Sequence, residues 1–226
     1  MGLAGQQNFA RPAVIDKYMA TLQEFARFIT SANTTTLASI SKSLQLADNE
    51  NLTTCHRPSM PSPDIIRLLK YSPQPAEERG FPHAAHTDLG SLTFLFTLQP
   101  GLQVLEDRSK EWEWVQPREG HAIVNLGDGM SLLTNGHLKS CLHRVGPLPG
   151  HPMPTRYSFA YMVRPEDHTV MTGVKSPFFP ARLDETQPVF SSGDWLKKKF
   201  NVLRSDSRPH SKTPNWVMTG RQEAVA

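Results

Sequence analysis

The sequence predicts a mainly β protein with flanking helices, whose strands form an antiparallel sandwich or barrel. The first observation is a series of short β-rich runs between residues 64 and 165, separated by turn signals such as "PG", "REG" and "NG". The second is helical periodicity before and after this region. The third is the content of 19 prolines and 14 glycines, which favours turns over long helices. With 226 residues, the chain is long enough for one domain with a full hydrophobic core.

The N-terminal part is predicted to form two helices. The first helix is indicated by an apolar stripe at helical spacing: Ile15, Met19, Leu22, Ala26 and Ile29. Pro12 suits its first turn. The polar segment "TSANTTT", residues 30–36, is expected to end this helix and to cap a second one, whose apolar face contains Leu37, Ile40 and Leu44.

The β-rich region is predicted from the runs "DIIRLLKYS", "SLTFLFTLQ", "LQVLED", "EWEWVQP", "HAIVNLG", "HLKSCLHRV" and "RYSFAYMVRP". A further short helix is expected in "GDWLKKKFNVLRS", with the lysines at 197–199 on a solvated face. The predicted organisation has N-terminal helices over residues 1–50 and a barrel core over 51–170. A C-terminal extension over 171–226, with one helix and an irregular tail, completes a single structural domain.

Composition argues against several classes of protein. The net charge of +3 is too small to indicate a nucleic-acid or anionic-membrane partner. No apolar run approaches the roughly 20 residues of a membrane helix, and the first residues lack the pattern of a signal peptide. Two cysteines, Cys55 and Cys141, do not form a disulfide framework. We therefore expect a cytoplasmic protein with neither a nucleic-acid nor a membrane partner.

A candidate metal site begins in "HTDLGSLTFLF". Side chains two apart on a strand point to one face, so His86 and Asp88 are expected to converge. His143, in "CLHRV", lies on a later strand that can supply a third ligand. Two imidazoles and one carboxylate on one side of a metal suit non-haem Fe(II). An isolated H-x-D pair also occurs by chance, so this interpretation depends on a second signal.

That second signal is "RYSF", in which Arg156 and Ser158 are again two apart on a predicted strand. A guanidinium binds a carboxylate through two parallel hydrogen bonds, and a hydroxyl adds a third. A surface ion pair is the alternative role for Arg156. The triad and the Arg-x-Ser pair together favour a carboxylate co-substrate anchored at its far end.

A family resemblance rests on five segments: "HTDLGSLTFLF", "GLQVLED", "WVQPREGHAIVNLGD", "LTNGHLKSCLHRV" and "RYSFAYMVRPED". Together they resemble the C-terminal oxygenase domain of the isopenicillin N synthase-like 2-oxoglutarate/Fe(II)-dependent dioxygenases, with the character of fungal members. The resemblance covers residues 64–167 and extends more loosely to the N-terminal helices and to "GDWLKKKF" and "NWVMTG". It implies a double-stranded β-helix, the jelly-roll or cupin-like barrel.

The resemblance also implies roles for individual residues. His86, Asp88 and His143 match the iron ligands. Arg156 and Ser158 match the pair that holds the C5 carboxylate of 2-oxoglutarate. Tyr71 matches a tyrosine that often contacts the co-substrate, but Leu69 stands where relatives commonly have asparagine. A barrel-packing role is therefore the alternative for Tyr71.

Several other residues are interpreted structurally. "NLGDG", with Asn125, Gly127 and Asp128, is expected to be a turn in which glycine adopts a positive φ. His83 is given no metal role. Cys141 is expected to be a small core residue, although it shares strand parity with His143. Core packing rather than a pocket wall is expected for a group of phenylalanines: Phe94, Phe96, Phe159, Phe178 and Phe179.

The activity implied by the resemblance is O2-dependent oxidative decarboxylation of 2-oxoglutarate, coupled to hydroxylation, desaturation or ring closure of a small organic substrate in specialised metabolism. Relatives usually carry a longer N-terminal region, so this chain is expected to be short there, and a homodimer could cover the apolar surface left open. Two alternatives remain. One is a truncated, non-catalytic binding protein or pseudoenzyme. The other is a related iron oxidase without 2-oxoglutarate, or a hydrolytic metal site.

Overall fold

The part of the fold that the structure describes contains eight strands, four α-helices and two short 3-10 helices, at Asp48–Glu50 and Leu52–Cys55. The computed structural model describes residues 12–75, 83–179 and 189–204, and the side chains as far as residue 201. The helices are α1 (Ala13–Lys17), α2 (Met19–Ser43), α3 (Asp128–Leu133) and α4 (Ser192–Arg204). The strands are β1 (Ile65–Tyr71), β2 (His83–His86), β3 (Leu92–Phe96), β4 (Leu102–Leu105), β5 (Trp112–Val115), β6 (Ile123–Leu126), β7 (His143–Val145) and β8 (Arg156–Val163).

The described strands form two four-stranded antiparallel sheets. The larger sheet has the order β1-β8-β3-β6, and the smaller has the order β2-β7-β4-β5. Most successive strands therefore lie in different sheets, which is the strand order of a jelly roll. The predicted mainly β fold with a double-stranded β-helix core is confirmed.

The hydrophobic core lies between α2 and the outer face of the larger sheet. Ile29 and Leu37 of α2 belong to one buried cluster with Phe94 and Tyr161. The ring of Phe25, also in α2, makes edge contacts at 5.5 Å with Phe96 and 4.5 Å with Phe159. Because strand residues alternate between faces, these aromatic residues point away from the barrel interior. Phe94, Phe96 and Phe159 pack in the core, as expected from the sequence.

Helix α2 continues through the polar segment that was expected to end it. The hydroxyl groups of Thr30, Thr34 and Thr36 donate to backbone carbonyls one turn earlier, at 2.7, 2.9 and 2.9 Å. These bonds satisfy polar side chains without breaking the backbone pattern. The prediction of two helices divided at residues 30–36 was therefore wrong. The division lies at Tyr18, between α1 and α2, and Pro12 immediately precedes α1.

The C-terminal helix predicted from "GDWLKKKFNVLRS" is present as α4. Before it, Phe179 is buried but Phe178 is 51% exposed, so the expectation of core packing was wrong for Phe178. The expected irregular tail and the segment "NWVMTG" lie outside the described residues, as do the first eleven residues. No helix in the described ranges is long and apolar enough to cross a membrane.

Candidate metal centre

The structure brings the three predicted ligands together. His86 is the last residue of β2 and lies directly opposite His143, the first residue of β7. Asp88 follows two residues after the end of β2. One potential ligand atom from each of these residues lies within 4.8 Å of the other two. The Nε2 atom of His86 is 3.8 Å from the Oδ1 atom of Asp88. Two imidazoles and a carboxylate can therefore share one metal ion.

Backbone carbonyl groups orient both imidazoles. The Nδ1 atom of His86 is 2.8 Å from the carbonyl oxygen of Ala84, and that of His143 is 3.1 Å from the carbonyl oxygen of Cys141. A proton on Nδ1 that is donated to a carbonyl leaves the Nε2 lone pair available to a metal. Burial is the main cause that lowers the pKa of His86, which favours the neutral, ligating form. Cys141 thus contributes its carbonyl group to this arrangement.

Asn125 holds the carboxylate of Asp88. Its Nδ2 group donates a hydrogen bond of 3.0 Å to the Oδ2 atom of Asp88, whose side chain is 4% exposed. Burial acts to raise the pKa of Asp88, but His143, Asn125 and Thr93 together outweigh it and lower the pKa. The carboxylate is therefore held ionised. Asn125 lies within β6 opposite Thr93, so its interpretation as a turn residue was wrong.

The segment after Asn125 packs backbone to backbone against the Asp88 loop. The amide of Asp128 donates to the carbonyl of Asp88 at 2.7 Å, and the amide of Gly129 donates to the carbonyl of Gly90 at 2.9 Å. Gly127 has an extended conformation, with φ −110° and ψ −179°, and α3 begins at the next residue. A Cβ atom at Gly127 would lie 2.3 Å from the carbonyl oxygen of Gly90. Close approach, rather than the predicted positive φ, requires glycine here.

Arg156, the first residue of β8, is buried with an exposed fraction of 1%. Its Nε atom donates to the carbonyl oxygen of Pro100 at 3.1 Å. Its Nη1 and Nη2 atoms are buried and have no hydrogen-bond partner in the part of the chain that the structure describes. Burial lowers the pKa of Arg156 and the nearby Tyr71 opposes that effect. A guanidinium with two buried, unpaired nitrogens fits a carboxylate ligand.

A row of contacts connects Arg156 to His86, one of the three predicted ligands. Tyr71 lies opposite Arg156 in the β1–β8 pairing, with the Arg156 Cζ atom 5.2 Å from the centre of its ring. The Tyr71 hydroxyl is 3.4 Å from the Nδ1 atom of His83. The His83 ring stacks on His86 with centroids 4.1 Å apart. Ser158, buried two residues after Arg156 on the same face, lies opposite Leu69.

The position of His83 could not be expected from strand parity. Residues three apart on a regular strand point to opposite faces, but the β2–β7 register shifts between His83 and His86. This irregularity places both imidazoles on one face. Burial, followed by His86 and His143, lowers the pKa of His83 to about 4, so its ring is neutral at pH 7. His83 is not one of the three grouped ligands, but it walls the site beside them.

Comparison with known proteins identifies the family of this chain. A model of the 2OG-Fe(II) oxygenase superfamily matches residues 62–165. The 2-oxoglutarate-dependent dioxygenase iboH of Amanita muscaria is 43% identical over 208 residues, which cover 89% of this chain and 94% of iboH. The chain belongs to the 2OG-Fe(II) oxygenase superfamily.

Another relative and two structural neighbours differ more in length. The dioxygenase gloE of Glarea lozoyensis is 32% identical over 94% of this chain, and the chain spans 60% of gloE. The crystal structure of a full-length Neurospora crassa protein in complex with alpha-KG superposes with a TM-score of 0.69 at 24% identity, over 81% of this chain and 57% of that protein. A putative 2OG-Fe(II) oxygenase from Caulobacter crescentus has a TM-score of 0.71 at 23% identity, over 89% of this chain and 65% of that protein. These similarities support the fold.

The residues present fit the two groups that this superfamily uses. His86, Asp88 and His143 supply the two nitrogens and one carboxylate that suit Fe(II) with open positions. The unpaired Nη atoms of Arg156 supply a buried partner for the distal carboxylate of 2-oxoglutarate. The ligand roles of these residues stay predictions, which the experiments below test.

Replacing Asn125 with alanine should lower the affinity of the protein for the metal about 10- to 100-fold, because Asp88 loses the partner that orients it. Titration of the protein with Co(II) measures the change. Asn49→Ala, at an exposed position in a short turn, is the control and should bind as the wild type does. Equal metal affinities in the two variants would contradict a role for Asn125 in orienting Asp88.

Lys199 anchors α4 beneath this centre. Its Nζ atom is 3.2 Å from the Oδ2 atom of Asp128, and the two side chains are 13% and 2% exposed. The prediction that residues 197–199 form a solvated face was therefore wrong for Lys199, although Lys197 and Lys198 are exposed. Asp128 in turn donates its amide to the carbonyl of Asp88. The C-terminal helix thus supports the loop that carries a predicted ligand.

Lys199→Met should lower the free energy of unfolding by about 3–5 kcal/mol, because it leaves the Asp128 carboxylate buried without its counter-charge. Urea unfolding measures this loss. Lys198→Met, which removes an exposed lysine one residue away, is the control. Combining Lys199→Met with Asp128→Asn should restore part of the stability. Equal urea midpoints for the two single variants would contradict a stabilising ion pair.

Proposed function

We propose that the protein is a non-haem Fe(II)- and 2-oxoglutarate-dependent oxygenase that oxidises a small organic molecule by hydroxylation, desaturation or cyclisation. The observation that carries this proposal is the buried guanidinium of Arg156. Its two Nη atoms lack partners in the described residues, and contacts through Tyr71 and His83 connect it to His86. A site that combines a metal triad with a buried hydrogen-bond donor for a carboxylate suits a chelating keto diacid.

Each side chain has a defined task in this proposal. His86, Asp88 and His143 would hold Fe(II), and a ligand set of two imidazoles and one carboxylate suits a metal that also takes a co-substrate and O2. Arg156 binds the distal carboxylate of 2-oxoglutarate, and Ser158 on the same face adds a hydroxyl donor. Tyr71 and His83 line one side of the space between Arg156 and the metal ligands. When bound, Fe(II) and 2-oxoglutarate supply the oxidation chemistry.

Three finer assignments belong to the same proposal. The similarity to fungal 2-oxoglutarate-dependent dioxygenases supports a role in specialised metabolism. Cys55 and Cys141 carry thiols rather than a disulfide, which supports a cytoplasmic location. Exposed apolar side chains, including Phe28 (71%) and Leu98 (76%), support a homodimer. Light scattering of the purified protein measures the mass of the assembly, and a monomer mass would exclude the dimer.

Substrate-free turnover tests the main proposal. Protein incubated with Fe(II), O2 and labelled 2-oxoglutarate should release labelled CO2 and form succinate slowly, and a chelator should stop both. Fe(II) binding without consumption of 2-oxoglutarate would contradict the proposal and favour an oxidase without 2-oxoglutarate or a hydrolytic site.

A non-catalytic binding protein that retains the fold is the second candidate. The aligned regions cover 60% of gloE and 94% of iboH. Succinate formation in the assay above would exclude it.

A further inference from the structure

Arg67 faces the interior of the barrel on the same wall as Arg156. In the β1–β8 pairing, Tyr71 lies opposite Arg156 and Arg67 lies opposite Ala160. Residues an even number apart on a strand share a face, so Arg67 points to the side on which Tyr71 contacts Arg156. It lies four residues from Tyr71 along β1 and is exposed. Arg67 is therefore at the open end of the interior, whereas Arg156 is at the closed end.

The face of β1 that carries Arg67 leads to the predicted metal ligands. Tyr71, on that same face, has its hydroxyl 3.4 Å from the Nδ1 atom of His83, and the His83 ring stacks on His86 with centroids 4.1 Å apart. No hydrogen bond or ion pair joins the Arg67 side chain to another residue within 12–75, 83–179 or 189–201. An accessible guanidinium on the interior face thus has all of its donors available to a ligand.

The charges within the loaded site would leave Arg67 uncompensated. The charges of Fe(II), the Asp88 carboxylate, the 2-oxoglutarate dianion and Arg156 cancel one another. Arg164 is another cation near this wall, and it lies beside the carboxylate of Asp64. The backbone amide of Arg164 donates a hydrogen bond of 2.7 Å to that carboxylate. Within the described residues, Arg67 therefore lies on the β1 side of the interior as a positive charge with no ion-pair partner.

The opposite side of the opening has the opposite charge. Across the smaller sheet, His143 pairs with Val104, and Val104 pairs with Glu113. These residues lie on the face that carries His86 and His143, so Val104 lies next to the metal ligands and Glu113 lies beyond it. The Glu113 side chain is exposed. An anionic ligand would be repelled from the β5 side and attracted to the β1 side.

We propose that Arg67 binds an anionic group of the substrate, and that the substrate is a small organic acid whose carboxylate lies at the β1 side of the metal. This inference rests on the proposed oxygenase function. Two parallel hydrogen bonds from the guanidinium would orient the acid, and its carbon chain would extend past the metal towards Val104. Arg67 is thus a second arginine for carboxylates, separate from the one that serves 2-oxoglutarate.

The test uses a panel of aliphatic monocarboxylates and α-amino acids, each paired with its primary amide. Succinate formation by the Fe(II)-loaded protein is measured with each compound at a fixed concentration of 2-oxoglutarate. At least one acid should stimulate succinate formation while its amide does not. Arg67→Met should raise the half-saturating concentration of that acid about 10- to 100-fold.

Lys70→Met is the matched control. Lys70 is on the same strand and is exposed, and its replacement removes the same charge, but it lies on the other face, with its Nζ atom 5.9 Å from the Tyr157 ring centre. This variant should leave the half-saturating concentration of the acid unchanged. Equal responses to acids and amides, no response to any acid, or equal effects of Arg67→Met and Lys70→Met would each overturn the inference.

A binding measurement separates this inference from the proposed function. The most effective ligand of the panel is titrated into Co(II)-loaded protein in the presence of 2-oxoglutarate. A change in the absorption spectrum of the bound Co(II) measures its binding. If an acid binds in an Arg67-dependent manner but no succinate is formed, the oxygenase function fails and the anion site remains. If succinate is formed but no acid binds, the Arg67 inference alone fails.

Discussion

Replacing His86 with alanine should reduce iron-dependent succinate formation to the background rate. His86 supplies one of the three atoms that lie within 4.8 Å of one another, and two remaining ligands bind Fe(II) poorly. Loss of a residue that supports a ligand typically lowers metal affinity or activity about 10- to 100-fold. Loss of a ligand itself should therefore lower both by more than about 100-fold. Asp88→Ala should have the same effect. Fe(II) titration and succinate release measure the two consequences separately.

His151→Ala is the control for these variants, because His151 is exposed and far along the chain from the His86–Asp88 pair. It should bind Fe(II) and form succinate as the wild type does. The far-ultraviolet circular dichroism of the His86 variant should match the wild type, since that side chain is not part of the hydrophobic core. Succinate formation at the wild-type rate by either ligand variant would contradict the proposed metal centre.

Replacing Arg156 with methionine should raise the half-saturating concentration of 2-oxoglutarate about 10- to 150-fold. The variant removes the buried guanidinium whose two Nη atoms have no partner in the described residues, and a hydrogen bond to a charged group contributes about 1.5–3 kcal/mol. Arg118→Met, which removes an exposed arginine, should leave this value unchanged. An unchanged dependence on 2-oxoglutarate in the Arg156 variant would contradict the anchoring role.

The same variant should have an unusual effect on stability. A buried charge without a counter-charge destabilises the protein, so Arg156→Met should raise the melting temperature measured without 2-oxoglutarate. Addition of 2-oxoglutarate should raise the melting temperature of the metal-loaded wild type but not that of the variant. A large loss of stability in Arg156→Met without ligand would show that Arg156 has a structural role instead.

Local patterns in the sequence were sufficient for much of the fold. Alternating apolar residues and turn signals predicted the β-rich region, and the described strands lie between Ile65 and Val163. The polar segment at residues 30–36 misled the prediction because threonine can bond either to its own helix or to a cap. Packing of Ile29 and Leu37 in one buried cluster settled the choice in favour of a continuous helix.

The sequence by itself determined which side chains are available for chemistry: a spaced histidine–aspartate pair, a later histidine, and an arginine followed two residues on by serine. Strand parity is a local property of the backbone, so it also predicted that His86 and Asp88 would converge. Only the tertiary structure decided which distant groups support them. The amide of Asn125 on Asp88, the pairing of Lys199 with Asp128, and the stacking of His83 on His86 depend on strand register, a bulge and the docking of α4. Such contacts join residues far apart in the chain, and their geometry is set by packing of the whole domain rather than by any local pattern.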